Sequence, residues 1–195
     1  MRALVTGGAG FIGSHLVDRL LEEGESVRVV DNLSTGTLIN LQHHRKNRKL
    51  EFIKADLKDR ETCSLAVKDV EIIFHFAANP EVKLSTVAPR VHFEENVLAT
   101  VNLLEAVRED SEVEKFIFAS SSAVYGESGD EPMEEDQPLK PVSVYGASKV
   151  ACEAFIRSYS KLYGLKSASL RYANIVGPRA HLGVIYDFVS RLIQN

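Results

Sequence analysis

The 195-residue sequence has no tryptophan, two cysteines and no apolar run approaching the roughly 18 residues that a membrane span requires. Cys63 and Cys152 stand far apart and outside any CxxC. That argues against a disulfide framework or a thiolate zinc site and makes a reducing, cytoplasmic compartment the expectation. Excess positive charge is also lacking. The 23 lysines and arginines against 27 acids leave a net charge of −4, so nothing in the balance points to nucleic acid or an anionic membrane surface. The opening MRALVTGGAGF has none of the parts of a secretory signal. His15 and His92 have no partners at ligand-like spacing, and no metal is expected.

What is present is a strand–turn–helix rhythm in a chain long enough for one α/β domain. Short apolar runs at Arg2–Thr6, Val27–Asp31, Leu50–Lys54, Glu71–Phe76, Lys115–Ala119 and Lys166–Leu170 read as strands. Helical spacing falls between them at Phe11–Glu23, Glu61–Lys68, His92–Glu109 and Tyr145–Tyr163, and again at Gly183–Asn195. Such alternation predicts a Rossmann-type, doubly wound parallel sheet with helices on both faces. Asn32–Lys49 is polar and carries His43, His44, Arg45, Lys46, Arg48 and Lys49; it reads as a solvated loop. Gly126–Val144 is acidic, holds Pro132, Pro138 and Pro141, and reads as a loop over the sheet.

Between the first strand and helix stands Thr6-Gly7-Gly8-Ala9-Gly10-Phe11-Ile12-Gly13. Gly7, Gly10 and Gly13 are spaced GxxGxxG. The first permits a tight turn, the second a close approach of backbone to a pyrophosphate, the third close helix–strand packing. The helix N-terminus then offers N–H groups and a positive dipole end. Asp31 closes the next strand 18 residues after Gly13, where a carboxylate accepts from a ribose diol and repels a 2′-phosphate. NAD is therefore expected over NADP.

Tyr145-Gly146-Ala147-Ser148-Lys149 opens a helix, and positions i and i+4 share a face. A phenol with a pKa near 10 needs about 4 kcal/mol of differential stabilisation to act as a base at neutral pH, and a neighbouring cation can supply it. Ser120, Ser121 and Ser122 follow the fifth strand, at the carboxyl edge where ligands bind in this architecture.

Together these motifs resemble the extended short-chain dehydrogenase/reductases. The resemblance rests on TGGAGFIG, Asp31-Asn32-Leu33, His75-Phe76-Ala77-Ala78, Ser121-Ser122-Ala123-Val124-Tyr125-Gly126, YGASK and Arg171-Tyr172-Ala173-Asn174-Ile175-Val176-Gly177-Pro178. It implies Tyr145 as base and acid at a sugar hydroxyl, Ser121 as its catalytic hydroxyl partner, and Lys149 as the residue that holds the nicotinamide ribose and depresses the tyrosine pKa. By the same resemblance Asp31 and Asn32 hold the adenosine ribose, with Ser34, Thr35 and Gly36 near its phosphate. Asp56 and Leu57 contact adenine; Phe76, Ala77 and Ala78 line the cofactor channel with Asn96 nearby. Tyr172 approaches the nicotinamide end, and Asn174 the diphosphate of a nucleotide sugar. Residues 1–175 are then the NAD-binding domain, and 176–195 the start of a substrate-binding region that is largely missing, since family members are considerably longer.

The departures narrow the expected reaction. The family's dehydratases place Asp-Glu directly after the catalytic hydroxyl residue, and its decarboxylases keep a glutamate two residues before the V-Y-G tyrosine. Ser122 and Ala123 stand there instead. Pro80 replaces a lysine found in some epimerases. The implied activity is NAD-dependent epimerisation of a nucleotide sugar at C4, of the UDP-glucose/UDP-galactose class. Another nucleotide-sugar oxidoreductase, or an NAD-binding module without turnover, remains open. A homodimer through the helices His92–Glu109 and Tyr145–Tyr163 is implied too, with Val97, Val101 and Leu104 on a face that suits either a partner or the chain's own core. His75 reads as a satisfied structural histidine, Cys152 as inert, and Arg179 as a surface residue or a phosphate contact.

Overall fold

The computed structural model describes residues 1–109, 112–127, 132–181 and 183–194. Six strands are described: β1 (Arg2–Thr6), β2 (Ser26–Asp31), β3 (Leu50–Lys54), β4 (Ile72–His75), β5 (Lys115–Ser121) and β6 (Lys166–Tyr172). They form one parallel sheet in the order β3-β2-β1-β4-β5-β6. The order reverses between β1 and β4, so the carboxyl ends of these strands open the crevice in which such sheets hold ligands.

Strand alternation divides the core. Leu4, Val30, Ile73, Phe116 and Phe118 pack on one face against α2 (Arg60–Ala66), α5 (Ala99–Glu109) and α6 (Val144–Tyr163). Ala3, Val5, Val27 and Val29 pack on the other against Val17, Leu20 and Leu21 of α1 (Phe11–Glu22). Helices on both faces are thus observed. Local chemistry sets their ends: Asp59 accepts from Glu61 N–H at 3.1 Å to start α2, Ser143 accepts from Gly146 N–H at 3.0 Å to start α6, and Gly164, at φ +76°, ends α6.

Two expectations are corrected. The polar stretch Asn32–Lys49 is not all loop. Leu38–His44 forms a 3₁₀ helix, because Leu41 reaches the α1 face of the core and Asn40 donates to the Ala9 carbonyl at 2.9 Å. The helix expected over His92–Glu109 is broken into α4 (Arg90–His92), a π-helical segment Phe93–Leu98 and α5. A π segment carries an extra residue per turn and so changes which side chains face inward; Asn96 and Val97 are its buried members. Val97 and Leu104 belong to the core, and Val101 packs against it, which is the second of the two readings that face allowed. The short helix α3 (Leu84–Val87) lies between β4 and α4, and α7 (Val184–Gln194) ends the described chain. Residues 128–131 of the acidic loop and Asn195 lie outside the described residues.

Candidate active site at the carboxyl edge of the sheet

The glycine turn is a construction of backbone. Gly7 sits at φ +67°, and a Cβ there would lie 2.7 Å from the Ala77 nitrogen. A Cβ on Gly13 would lie 2.3 Å from the Gly7 carbonyl oxygen, far inside van der Waals contact, so helix and turn meet only because both are glycine. Gly10 precedes α1, no side chain caps that helix, and its first turn holds no acid. The N-terminus, with Phe11 and Ile12 half-buried beside it, therefore keeps its donors and positive dipole end for an anion. Gly8 is a site residue that the GxxGxxG reading missed: a Cβ there would lie 2.8 Å from the Val29 side chain.

Asp31 is buried and fastens the turn to the loop after β2. Its Oδ2 accepts from Ala9 N–H at 3.0 Å and its Oδ1 from Leu33 N–H at 2.8 Å. A carboxylate offers about four acceptor sites, so it retains capacity for a diol. Gly36 packs on the same turn, where a Cβ would lie 2.9 Å from the Ala9 carbonyl carbon and 3.0 Å from Asp31 Oδ2. Asn32 donates to Asp56 Oδ2 at 3.1 Å and accepts from Ser34 N–H at 2.9 Å; Ser34 and Thr35 are exposed. Burial pushes the Asp56 carboxyl up, but the Lys58 backbone N–H and Asn32 outweigh it and hold it below the usual range. Leu57 is buried, its carbonyl accepting from Asn102 Nδ2 at 3.0 Å. Gly7, Gly10, Asp31, Asn32, Gly36 and Asp56 are thus drawn into one connected edge.

His75 links this edge to the next. Thr100 Oγ1 donates to the Asn96 carbonyl at 2.6 Å, so it must accept from His75 Nε2–H at 2.9 Å. Nδ1 is then bare and accepts from Thr6 Oγ1–H at 2.7 Å, while Thr6 Oγ1 accepts from Ala77 N–H at 3.2 Å. Every proton is placed, and burial pushes the imidazole down to about 3. The neutral His75 is structural, as expected. Its chain of bonds fixes Ala77 beside Gly7, with half-buried Phe76 and Ala78 on either side.

Asn96 is fully engaged. It accepts from Asn79 N–H at 2.7 Å and donates to Ser148 Oγ at 2.9 Å, and Ser148 donates to the Tyr145 carbonyl at 2.7 Å. Its amide therefore ties the turn after β4 to the first turn of α6. This positions the edge beside which the resemblance places the cofactor.

Tyr145 and Lys149 open α6, and Ser121 ends β5, in register with Tyr172 of β6. Burial raises the Tyr145 phenol pKa, and the nearby Ser121 hydroxyl opposes the rise. Ser121 Oγ accepts from Ala123 N–H at 3.2 Å, starting the 3₁₀ turn Ser122–Val124. Lys149 is buried and donates to the Ala119 carbonyl at 2.8 Å, with its Nζ 5.8 Å from the centre of the Tyr145 ring. Burial brings its amine down to about 8. Asn174 is exposed, two residues beyond β6.

Comparison with known proteins agrees with this geometry. The family described as GDP-mannose 4,6 dehydratase matches residues 4–195. The chain belongs to this family. It is an extended short-chain dehydrogenase/reductase domain, as the motifs implied. The chain is 43% identical to a UDP-glucose 4-epimerase of Mycolicibacterium smegmatis, covering 100% of itself and 64% of that protein. A crystal structure of a UDP-galactose 4-epimerase superposes at TM-score 0.88 with 51% identity, over 100% of this chain and 63% of the other. The UDP-glucose 4-epimerase of Thermus thermophilus, in complex with NAD, gives 0.87 and 45%, over 94% and 58%. A dTDP-glucose 4,6-dehydratase of Streptomyces venezuelae, with NAD bound, gives 0.94 and 35%, over 100% and 62%. The chain thus spans under two thirds of the length of these relatives. Among its described residues no helix is long and apolar enough to cross a membrane.

The family's motifs also left side chains unread beneath the site. Glu153 accepts from Arg171 Nη2 at 2.9 Å, Arg171 Nε at 3.1 Å and Ser120 Oγ at 2.5 Å; Arg171 Nη1 donates to the Tyr125 phenol at 2.8 Å. The signal was available, since Glu153 continues the Tyr145–Lys149 face at i+8. Arg179 bonds neither a bare surface nor a phosphate group of the chain's making: it pairs with Asp18 at 2.7 Å and donates to Ser14 Oγ at 3.0 Å.

Proposed function

We propose that the protein carrying this chain is an NAD-dependent nucleotide-sugar 4-epimerase that interconverts UDP-glucose and UDP-galactose. The observation that carries the proposal is Tyr145 at the start of α6 set against the end of β5, where the Ser121 hydroxyl acts to lower the phenol pKa, beside a turn of Ser122, Ala123 and Val124 that holds no acid. Elimination of water needs a further acid and base at that place; inversion at C4 needs one group that takes and returns a proton.

The chain fits NAD. The uncapped, acid-free start of α1 suits a pyrophosphate, Gly7 and Gly10 keep side chains out of its path, and Asp31 retains acceptors for a ribose diol. Bound there, NAD supplies the acceptor and later the donor of a hydride at sugar C4. The chain's own residues manage the proton. Tyr145 takes it from O4 as the C4–O bond becomes a carbonyl and gives it back as the alcohol re-forms, while Ser121 holds the phenolic oxygen and shares the O4 proton. Lys149 is the chain's cation on this face and holds the nicotinamide ribose. Asn32, Ser34 and Thr35 border the adenosine ribose, Asp56 and Leu57 the adenine, Tyr172 the nicotinamide end, and Asn174 the sugar-nucleotide diphosphate. Residues 1–175 then serve the cofactor and 176–195 begin the substrate region. A cytoplasmic homodimer goes with this reading.

A 4,6-dehydratase is the second reading, favoured by the 0.94 superposition with the Streptomyces enzyme. The test is the full-length protein with UDP-glucose. The expected product is UDP-galactose without net release of NADH; a 4-keto-6-deoxy sugar overturns the proposal in favour of the second reading. Tyr145→Phe in that protein should lower turnover by at least about 10²-fold while NAD stays bound. Loss of the phenol oxygen alone should cost no more than about 1 kcal/mol of stability.

A further inference from the structure

Away from the sheet edge, three potential ligands converge from α1 and the 3₁₀ helix. His43 Nε2 and His44 Nε2 each lie 2.9 Å from the same Asp18 oxygen, Oδ1. All three ligand atoms fall within 4.8 Å of one another. We propose that Asp18, His43 and His44 bind one divalent transition-metal ion of the zinc class.

The donor set decides the class. Two imidazoles and one carboxylate suit zinc and its borderline neighbours, whereas calcium and magnesium take oxygen ligands. The second carboxylate oxygen is already held: Asp18 Oδ2 pairs with Arg179 Nη2 at 2.7 Å, and Arg179 is fixed on Ser14 Oγ at 3.0 Å. A ligating carboxylate oriented through its other oxygen is the usual outer support of a metal site. Burial pushes the Asp18 carboxyl up, but Arg179, His43 and His44 outweigh it and keep it ionised. An ionised carboxylate only accepts, so both Nε2 atoms now carry their protons. On binding, each imidazole presents the Nε2 lone pair to the metal and carries its ring proton on Nδ1. Tetrahedral zinc at about 2.0–2.1 Å from its ligands sets neighbouring ligand atoms about 3.3 Å apart. The cluster must therefore open by about half an ångström, which the half-exposed His43 ring can supply. Water completes the coordination.

The consequence reaches the glycine turn. The 3₁₀ helix that carries both histidines begins where Thr37 N–H and Asn40 Nδ2 donate to the Ala9 carbonyl, at 3.0 and 2.9 Å. A metal on this cluster ties that helix to α1 and so clamps the turn from behind.

The test is zinc itself, added to the untagged protein after treatment with chelator, read by titration calorimetry, metal content and thermal melting. The expected result is one zinc per chain, a raised melting temperature, and affinity at least tenfold weaker in Asp18→Asn, His43→Gln and His44→Gln. His181→Gln is the control and binds as the parent does. Melting of each variant without zinc confirms that it folds, and the exposed His43 variant keeps the test open if Asp18→Asn does not. Absence of saturable binding, or equal affinity in parent and His43→Gln, overturns the proposal. None of these readouts depends on cofactor or turnover.

Discussion

The two halves of the sheet edge are built by different means. On the nucleotide side, between β1 and β2, the working surface is backbone: glycines at 7, 13 and 36 stand where a Cβ would meet other main-chain atoms at 2.3 to 2.9 Å. On the side of β5 and β6 it is ionisable side chains: buried Lys149 and Glu153, with half-buried Arg171 paired to Glu153. The glycine turn of the first half is intolerant of added volume and has no titrating side chain of its own. The second is intolerant of unmatched charge, and its stability must titrate.

The largest effect should come from volume in the first half. Gly13→Ala places a Cβ 2.3 Å from the Gly7 oxygen, and neither partner is a side chain that can swing away. The loss should be at least about 3 kcal/mol, read by chemical denaturation, or folding should fail. Gly10→Ala sharpens the contrast. Its Cβ would meet only the Gly7 oxygen at 3.2 Å, a contact that relaxes at about 1 kcal/mol or less. Equal losses in the two variants would remove the steric account of the turn.

Charge in the second half should follow. Glu153 joins Ser120 to Arg171 in a partly buried network, and removing the carboxylate leaves the Arg171 charge without its anion. Glu153→Gln should cost about 1–2 kcal/mol, below the figure for a fully buried pair because Arg171 is partly solvated. Burial pushes the Glu153 carboxyl up, yet Arg171 and Ser120 hold it below the usual range. The folded state therefore keeps a carboxylate where the unfolded chain takes a proton. The contribution is complete above the ordinary glutamate pKa and fades as pH falls through the lower, folded one. Stability of the parent and variant should converge on acidification; a constant gap means the loss is packing and not charge.

The same contrast explains what could be read in advance. The nucleotide half was legible because glycine has a direct conformational meaning: Gly7 at positive φ and Gly13 at a close approach are consequences of spacing. The six strands were legible from short β-branched and aromatic runs. The π segment at Phe93–Leu98 was not, because periodicity alone does not separate 3.6 from a local excess of one residue. The 3₁₀ helix at Leu38–His44 was hidden by its polar composition, with only Leu41 turned to the core. Tyr145, Ser121 and Lys149 could be named but not oriented. The direction of the Lys149 ammonium depends on the Ala119 carbonyl, 30 residues away in sequence, and Asp18 with His43 and His44 is a meeting of distant segments that no local pattern announces.

The smallest effect tests whether Lys149 carries its charge as a load on the fold. Burial lowers its amine to about 8 from an ordinary 10.5, with Cys152 and Glu153 opposing. Above pH 8 the folded chain has released this proton while the unfolded chain still binds it, so unfolding takes up a proton and stability rises with pH in that window. The slope approaches about 1.4 kcal/mol per pH unit for one proton. Lys149→Met keeps the length and removes the titration, so the parent should gain on the variant by about 1 kcal/mol between pH 8 and pH 9. Other alkaline groups are shared by both proteins and cancel in the difference; Cys63, raised to about 12 by burial, is one. A flat difference across that interval would mean that the ammonium is fully compensated by the Ala119 carbonyl and the Phe118 ring, 4.8 Å from Nζ. The chemistry half would then be as insensitive to pH as the glycine turn.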